Sequence, residues 1–79
     1  MLKIVRVRNR INSYGEIVKS VATKITYELI DVDNFDELLK FERLIRPMAK
    51  IRVYYDKGQA YIQIIGNIYR EEVRIVNLR

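Results

Sequence analysis

Three arginines stand at every second position of the stretch RVRNR: Arg6, Arg8 and Arg10. On an extended strand, alternate side chains lie about 6.6 to 6.8 Å apart on one face, close to the spacing of successive phosphates, so the row suits a polyanionic backbone. The water-facing side of an ordinary half-buried strand has the same pattern, because arginine stems cover neighbouring strands while their heads stay solvated. The choice between the two turns on which residues share the face. Lys50, Arg52, Tyr54, Tyr61 and Arg74 occur at matching alternation further along the chain. Tyrosines interleaved with cations offer unpaired bases a stacking surface worth about 1 to 3 kcal/mol per base.

Other chemistry is thinly represented. The chain has neither cysteine nor histidine, which removes disulfides, zinc cages of those ligands and an imidazole base. Ser13 and Ser20 therefore lack an obvious activating base. Asp31, Asp33, Asp36 and Glu37 form an acidic run, but an EF-hand loop counted from Asp31 meets Phe35 at its fifth position and Asp36 where glycine is required. Helix capping accounts for most of these acids, and no metal or cofactor is expected. A non-catalytic protein is the expectation, although the arginine, lysine, tyrosine and glutamate that histidine-free ribonucleases use are all present.

Positioning these residues requires elements. Residues 2 to 8 alternate as a strand, with Lys3, Val5 and Val7 on one side and Ile4, Arg6 and Arg8 on the other. Residues 14 to 30 carry a conflict. Helical spacing gathers Tyr14, Ile17, Val18, Val21, Ala22, Ile25 and Leu29 within an arc of about 140°, whereas their β-branching favours a strand. Ser13 and Glu16 have capping-box spacing, so a helix over about 14 to 30 is expected, with a long hairpin strand over 17 to 32 as the alternative. The next segment, DVDNFDELLKFERLIRP, reads as a helix capped by Asp33 or Asn34 and stopped by Pro47. Phe41 and Leu44 lie away from its main apolar face and, with Asp36 and Glu37, form a candidate partner-binding surface.

Beyond Pro47 the period becomes two. A hairpin turning at Gly58 and a third strand after Gly66 and Asn67, running to the C-terminus, complete an α+β domain of order β-α-α-β-β-β (alternatively β-β-α-β-β-β). The antiparallel sheet has both helices on one face. The core-facing set expected is Val5, Val7, Ile51, Val53, Ala60, Ile62, Ile64, Val73 and Ile75. Opposite it fall Arg6, Arg8, Lys50, Arg52, Tyr54, Tyr61, Gln63 and Arg74, with Arg10 just beyond the strand end.

At 79 residues and 49% hydrophobic content the chain is one globular domain with a thin stability margin. No apolar run approaches the roughly 18 residues of a membrane span, and the basic N-terminus alternates with apolar residues, unlike a leader; a cytoplasmic protein is expected. Abundant Ile, Arg and Lys with little Gln and Met suggest a thermophilic source. The net charge of +5 is segregated: residues 1 to 27 hold six basic and one acidic side chain, 28 to 42 one and six, and 43 to 79 eight and three. Such asymmetry favours a polyanion partner.

The order β-α-α-β-β-β, the size and the basic charge resemble the RelE-type toxins, a resemblance of topology over most of the chain. It implies ribosome-dependent messenger RNA cleavage by basic and aromatic residues of a sheet. No catalytic residue transfers, because Tyr61 and Gln63 stand where that family tends to place arginines. The leading expectation is a small DNA- or RNA-binding protein, or an accessory subunit of a nucleic-acid-processing assembly. It would contact phosphates without sequence readout through Arg6, Arg8, Arg10, Lys50, Arg52, Tyr54, Tyr61 and Arg74. The competing expectation is a protein-interaction module or homodimer using Phe41, Leu44, Asp36 and Glu37.

Overall fold

A computed structural model describes residues 1 to 76. Its element order is β1 (Leu2–Arg10), β2 (Lys24–Ile30), α1 (Phe35–Ile45), β3 (Lys50–Asp56), β4 (Gln59–Ile65) and β5 (Tyr69–Ile75). The strands form one sheet of order β2-β1-β5-β4-β3 in which every neighbouring pair is antiparallel. This is a small α+β domain with one helix among the described residues, so the expected two-helix order is corrected to β-β-α-β-β-β. The third sheet strand after Gly66 forms as expected; its last expected residues, 77 to 79, lie outside the described ones.

The helix expected over 14 to 30 is absent, and the resemblance to a two-helix toxin topology loses its basis with it. Asn12 organises the start of this segment: its side-chain oxygen accepts from the backbone N–H groups of Tyr14 and Glu16, and Gly15 takes φ +80°. That is an Asx turn, not the Ser13–Glu16 capping box. From Lys24 the chain then pairs with β1 over the register Arg8↔Lys24 to Leu2↔Ile30. The helical arc misled because it collects residues that nothing buries: Tyr14, Ile17, Val21, Ala22, Ile25 and Leu29 are all exposed. With no core contact to reward helical spacing, β-branched propensity and the ladder to β1 prevail.

Helix α1 forms where expected. The Asn34 side chain accepts from the Glu37 N–H at 2.9 Å, while the Glu37 carboxylate accepts from the Asp33 N–H at 3.0 Å. One free donor of the first turn, and the N–H of the residue just before the cap, are thereby satisfied. The helix links β2 and β3, which occupy opposite sheet edges, and so crosses the sheet face. Leu38 is fully buried there against Ile4, Ile62, Ile64 and Val73, with Phe35 and Leu39 packed alongside.

Register decides which side chains meet the helix. On the helix side lie Leu2, Ile4, Arg6 and Arg8 of β1; Glu28 and Ile30 of β2; Glu71, Val73 and Ile75 of β5; Ile62 and Ile64 of β4; and Ile51 and Val53 of β3. Expectations for β3, β4 and β5 agree with this. For β1 the face is reversed: Val5 and Val7 lie on the open side, and the arginines lie under or beside the helix. Both faces of β1 carry apolar residues, so alternation alone does not orient it. Leu2 and Ile4 join the core, and glutamates brought in by other elements make Arg6 tolerable beside them.

Candidate functional site

The reversal of β1 buries Arg6 on the helix side of the sheet. Arg6 is 5% exposed and makes five hydrogen bonds to three carboxylates. Its Nη1 donates to Glu42 Oε1 at 2.6 Å and Glu71 Oε1 at 2.9 Å, and its Nε donates to Glu28 Oε2 at 2.8 Å. Arg8 and Arg46 approach Glu71 at 3.3 and 3.2 Å, and Arg46 Nε lies 4.0 Å from Glu42. Three arginines and three glutamates from β1, β2, α1 and β5 thus form one charge-balanced cluster, in which Glu42 is completely buried.

Burial by itself lowers the pKa of the Arg6 guanidinium. Hydrogen bonds to Glu42, Glu28 and Glu71, with the charge of Glu42, outweigh that effect and raise it above the usual arginine range. The hydrogen bond from Arg6 holds the Glu28 carboxyl below the usual carboxylate range against its own desolvation, assisted by the charge of Arg6 and by Thr26. Glu28, Glu42 and Glu71 were not anticipated as a group. A signal was present in α1, since Glu42 follows the buried Leu38 by four residues and must share its inward face. A carboxylate at that position demands a cation from the sheet.

The remaining candidates divide into three places. Lys50, Arg52, Tyr54, Tyr61, Gln63 and Arg74 do share the open sheet face, as expected. Several are engaged with one another: Arg52 donates to Gln63 at 2.6 Å, Tyr54 and Tyr61 stack at 5.1 Å between centroids, and the Tyr54 hydroxyl donates to Glu72. Arg8 and Arg10 lie on the opposite face, and Arg8 sits over the Tyr69 ring at 4.8 Å. Leu44 and half-buried Phe41 lie along one flank of α1 with Glu37, while Asp36 is exposed at its start.

Strand direction sorts the charges by pole. The end of β1, the starts of β2, β3 and β5 and the C-terminus of α1 all meet at one end of the sheet. There stand Arg8, Arg10, Lys24, Arg43, Arg46, Lys50 and Arg70, and the loop after β1 adds Lys19. Glu16 is the one exposed carboxylate in these segments among the described residues, since Glu71 is buried in the cluster. The exposed acids Asp31, Asp33, Asp36, Glu37 and Asp56 collect at the other end. Two adjoining grooves open at the basic pole. One of about 470 Å³ runs between Arg8, Arg46, Met48, Ile68, Tyr69 and Glu71, and one of about 290 Å³ between Arg6, Arg8, Lys24, Thr26, Glu28 and Arg46, so a glutamate of the cluster lines each.

No helix among the described residues is long and apolar enough to cross a membrane. Comparison with known protein families, characterised proteins and solved structures finds no match.

Proposed function

We propose that this chain binds the phosphate backbone of nucleic acid through its basic pole, without catalysis and without base readout. The supporting observation is the convergence of Arg10, Lys24, Arg43, Lys50 and Arg70, none of them part of the charge-balanced cluster, from four strand ends and one helix C-terminus, with a single exposed carboxylate in the same segments among the described residues. A pole of one sign raises the local concentration of a polyanion and gains free energy from released counterions. Lys50 and Arg70 share a cross-strand row on the open face at this end, so a backbone leaving the pole meets Arg52 next. Arg6 has no part in the contact, being enclosed by carboxylates. The expected interface is therefore Arg10, Lys24, Arg43, Lys50 and Arg70, with Arg8 held beside Tyr69 and Arg46 paired with Glu71.

Fluorescence anisotropy with single-stranded and duplex oligonucleotides over a salt series tests this reading. Dissociation constants of roughly 10⁻⁶ to 10⁻⁴ M near physiological salt are expected. Replacing Arg10, Lys24 and Arg70 together with alanine should reduce the log–log salt slope by about 2 to 3. A control replacing Lys3 and Lys57 at the other end should leave it nearly unchanged. Absence of binding at about 50 mM salt, or equal loss in the two variants, would sink the proposal.

A further inference from the structure

Strand β2 is an edge with no neighbour on its outer side among the described residues. The direction of its backbone groups follows from β1. The Lys3 carbonyl accepts from the Val76 N–H on the β5 side, and the Arg10 carbonyl accepts from the Val18 N–H on the other. Odd-numbered residues of β1 therefore hydrogen-bond toward β5 and even-numbered ones toward β2. The partners of the even residues, Lys24, Thr26, Glu28 and Ile30, bond inward. Ile25, Tyr27 and Leu29 are left with N–H and C=O groups directed outward. Their side chains, 58%, 63% and 68% exposed, form an apolar row on the open face beside Val5 and Val7.

Edge strands are ordinarily protected by proline, a bulge or charged side chains; β2 has no proline and an unbroken register with β1, and its two charged residues, Lys24 and Glu28, sit at inward-bonding positions. We infer that β2 pairs with β2 of a second copy about a two-fold axis at Tyr27, joining the two sheets into one of ten strands. That register sets Ile25 opposite Leu29 of the second copy and Tyr27 opposite its equivalent, and it uses all six outward hydrogen-bonding residues of the seam. On the helix side Thr26 meets Glu28, a hydroxyl beside a carboxylate. Moving the axis to Glu28 would place that carboxylate against its own copy and Ile25 opposite Asp31.

Charge also selects the antiparallel arrangement. Lys24 lies at the basic end of β2, and Asp31 and Asp33 follow its other end. A two-fold brings Lys24 of each copy next to Ile30 and Asp31 of the other, so the charge separation along the strand becomes self-complementary. A parallel pairing would stack lysine on lysine. A seven-residue seam is small as interfaces go, which places the dissociation constant in the range of about 1 to 100 μM.

Sedimentation velocity of the full chain up to about 300 μM is the test. A species of twice the protomer mass of 9.5 kDa is expected. I25K/L29K sets lysine opposite lysine at two places and should raise the dissociation constant at least about tenfold, whereas I25K/L29E sets lysine opposite glutamate and should restore association. All four introduced side chains occupy exposed positions, and unchanged circular dichroism will verify the fold. Hydrogen exchange of the Ile25, Tyr27 and Leu29 amides should slow as concentration rises. A monomer at the highest concentration overturns the inference and leaves the edge to a foreign strand. A dimer indifferent to both variants, or one dissociated by Leu44→Glu instead, overturns it in favour of another surface.

Discussion

Replacing Arg6 with methionine should be among the most damaging single changes available to this chain. The substitution keeps an unbranched stem of similar reach but deletes five hydrogen bonds and the central cation of the cluster. Glu71 keeps Arg8 and Arg46 within 3.3 Å, and Glu28 is partly solvated. Glu42 is the casualty, fully buried with Arg46 Nε at 4.0 Å as its remaining cation. Leaving a buried carboxylate unpaired costs about 3 to 5 kcal/mol, and the lower figure applies if Arg46 closes that gap. A domain of this size has roughly 4 to 12 kcal/mol in total. At about 4 to 8 °C per kcal/mol, Tm should fall by at least roughly 12 °C.

The second half of the experiment isolates the cause. Glu42→Leu added to the Arg6→Met background removes the stranded charge and places an apolar side chain next to Leu38. Apolar replacements of buried ion pairs are often neutral or stabilising, so the double variant should regain at least about 2 kcal/mol over Arg6→Met alone. Urea denaturation followed by circular dichroism gives all four corners of the cycle. A loss below about 1 kcal/mol for Arg6→Met, or a coupling under about 0.5 kcal/mol, would refute the cluster as the element tying α1 to β1 and β5.

Two further outcomes follow from local chemistry. The β3–β4 turn has positive φ at both Lys57 (+52°) and Gly58 (+77°), so Lys57→Asn should stabilise by a few tenths to about 1 kcal/mol, read as a raised Tm. The carboxyl of Glu28 is depressed in the fold, so its contribution is complete above the unfolded carboxylate pKa of about 4.3 and is lost as pH falls through the lower folded value. Stability should therefore drop in acid more steeply for the wild type than for Glu28→Gln, and parallel profiles below about pH 4 would contradict the assignment.

Legibility differed from element to element for physical reasons. Helix α1 carried its own cap, its own stop and a buried stripe, and these act within a few residues. The β3–β4 hairpin was equally local, through its period of two and Gly58. Residues 14 to 30 were ambiguous because their apolar pattern corresponds to no burial; the ladder to β1 determines their shape, and that partner lies up to 28 residues away. The candidate site failed at the same kind of point. Residue types on β1 were read correctly, but the face to which they belong depends on where Glu42 and Glu71 arrive.

Composition and short-range pattern were sufficient for an α+β domain, one capped helix, a hairpin, an excess of positive charge and the absence of thiol and imidazole groups. These properties depend on residue identity and on contacts close along the chain. Tertiary structure alone decided the fate of the arginines in RVRNR. Arg6 is neutralised within the fold, Arg8 is shared between Glu71 and Tyr69, and Arg10 is exposed at the basic pole. A guanidinium is stable beneath a helix only where carboxylates from distant segments converge on it, and that convergence is a property of the assembled sheet.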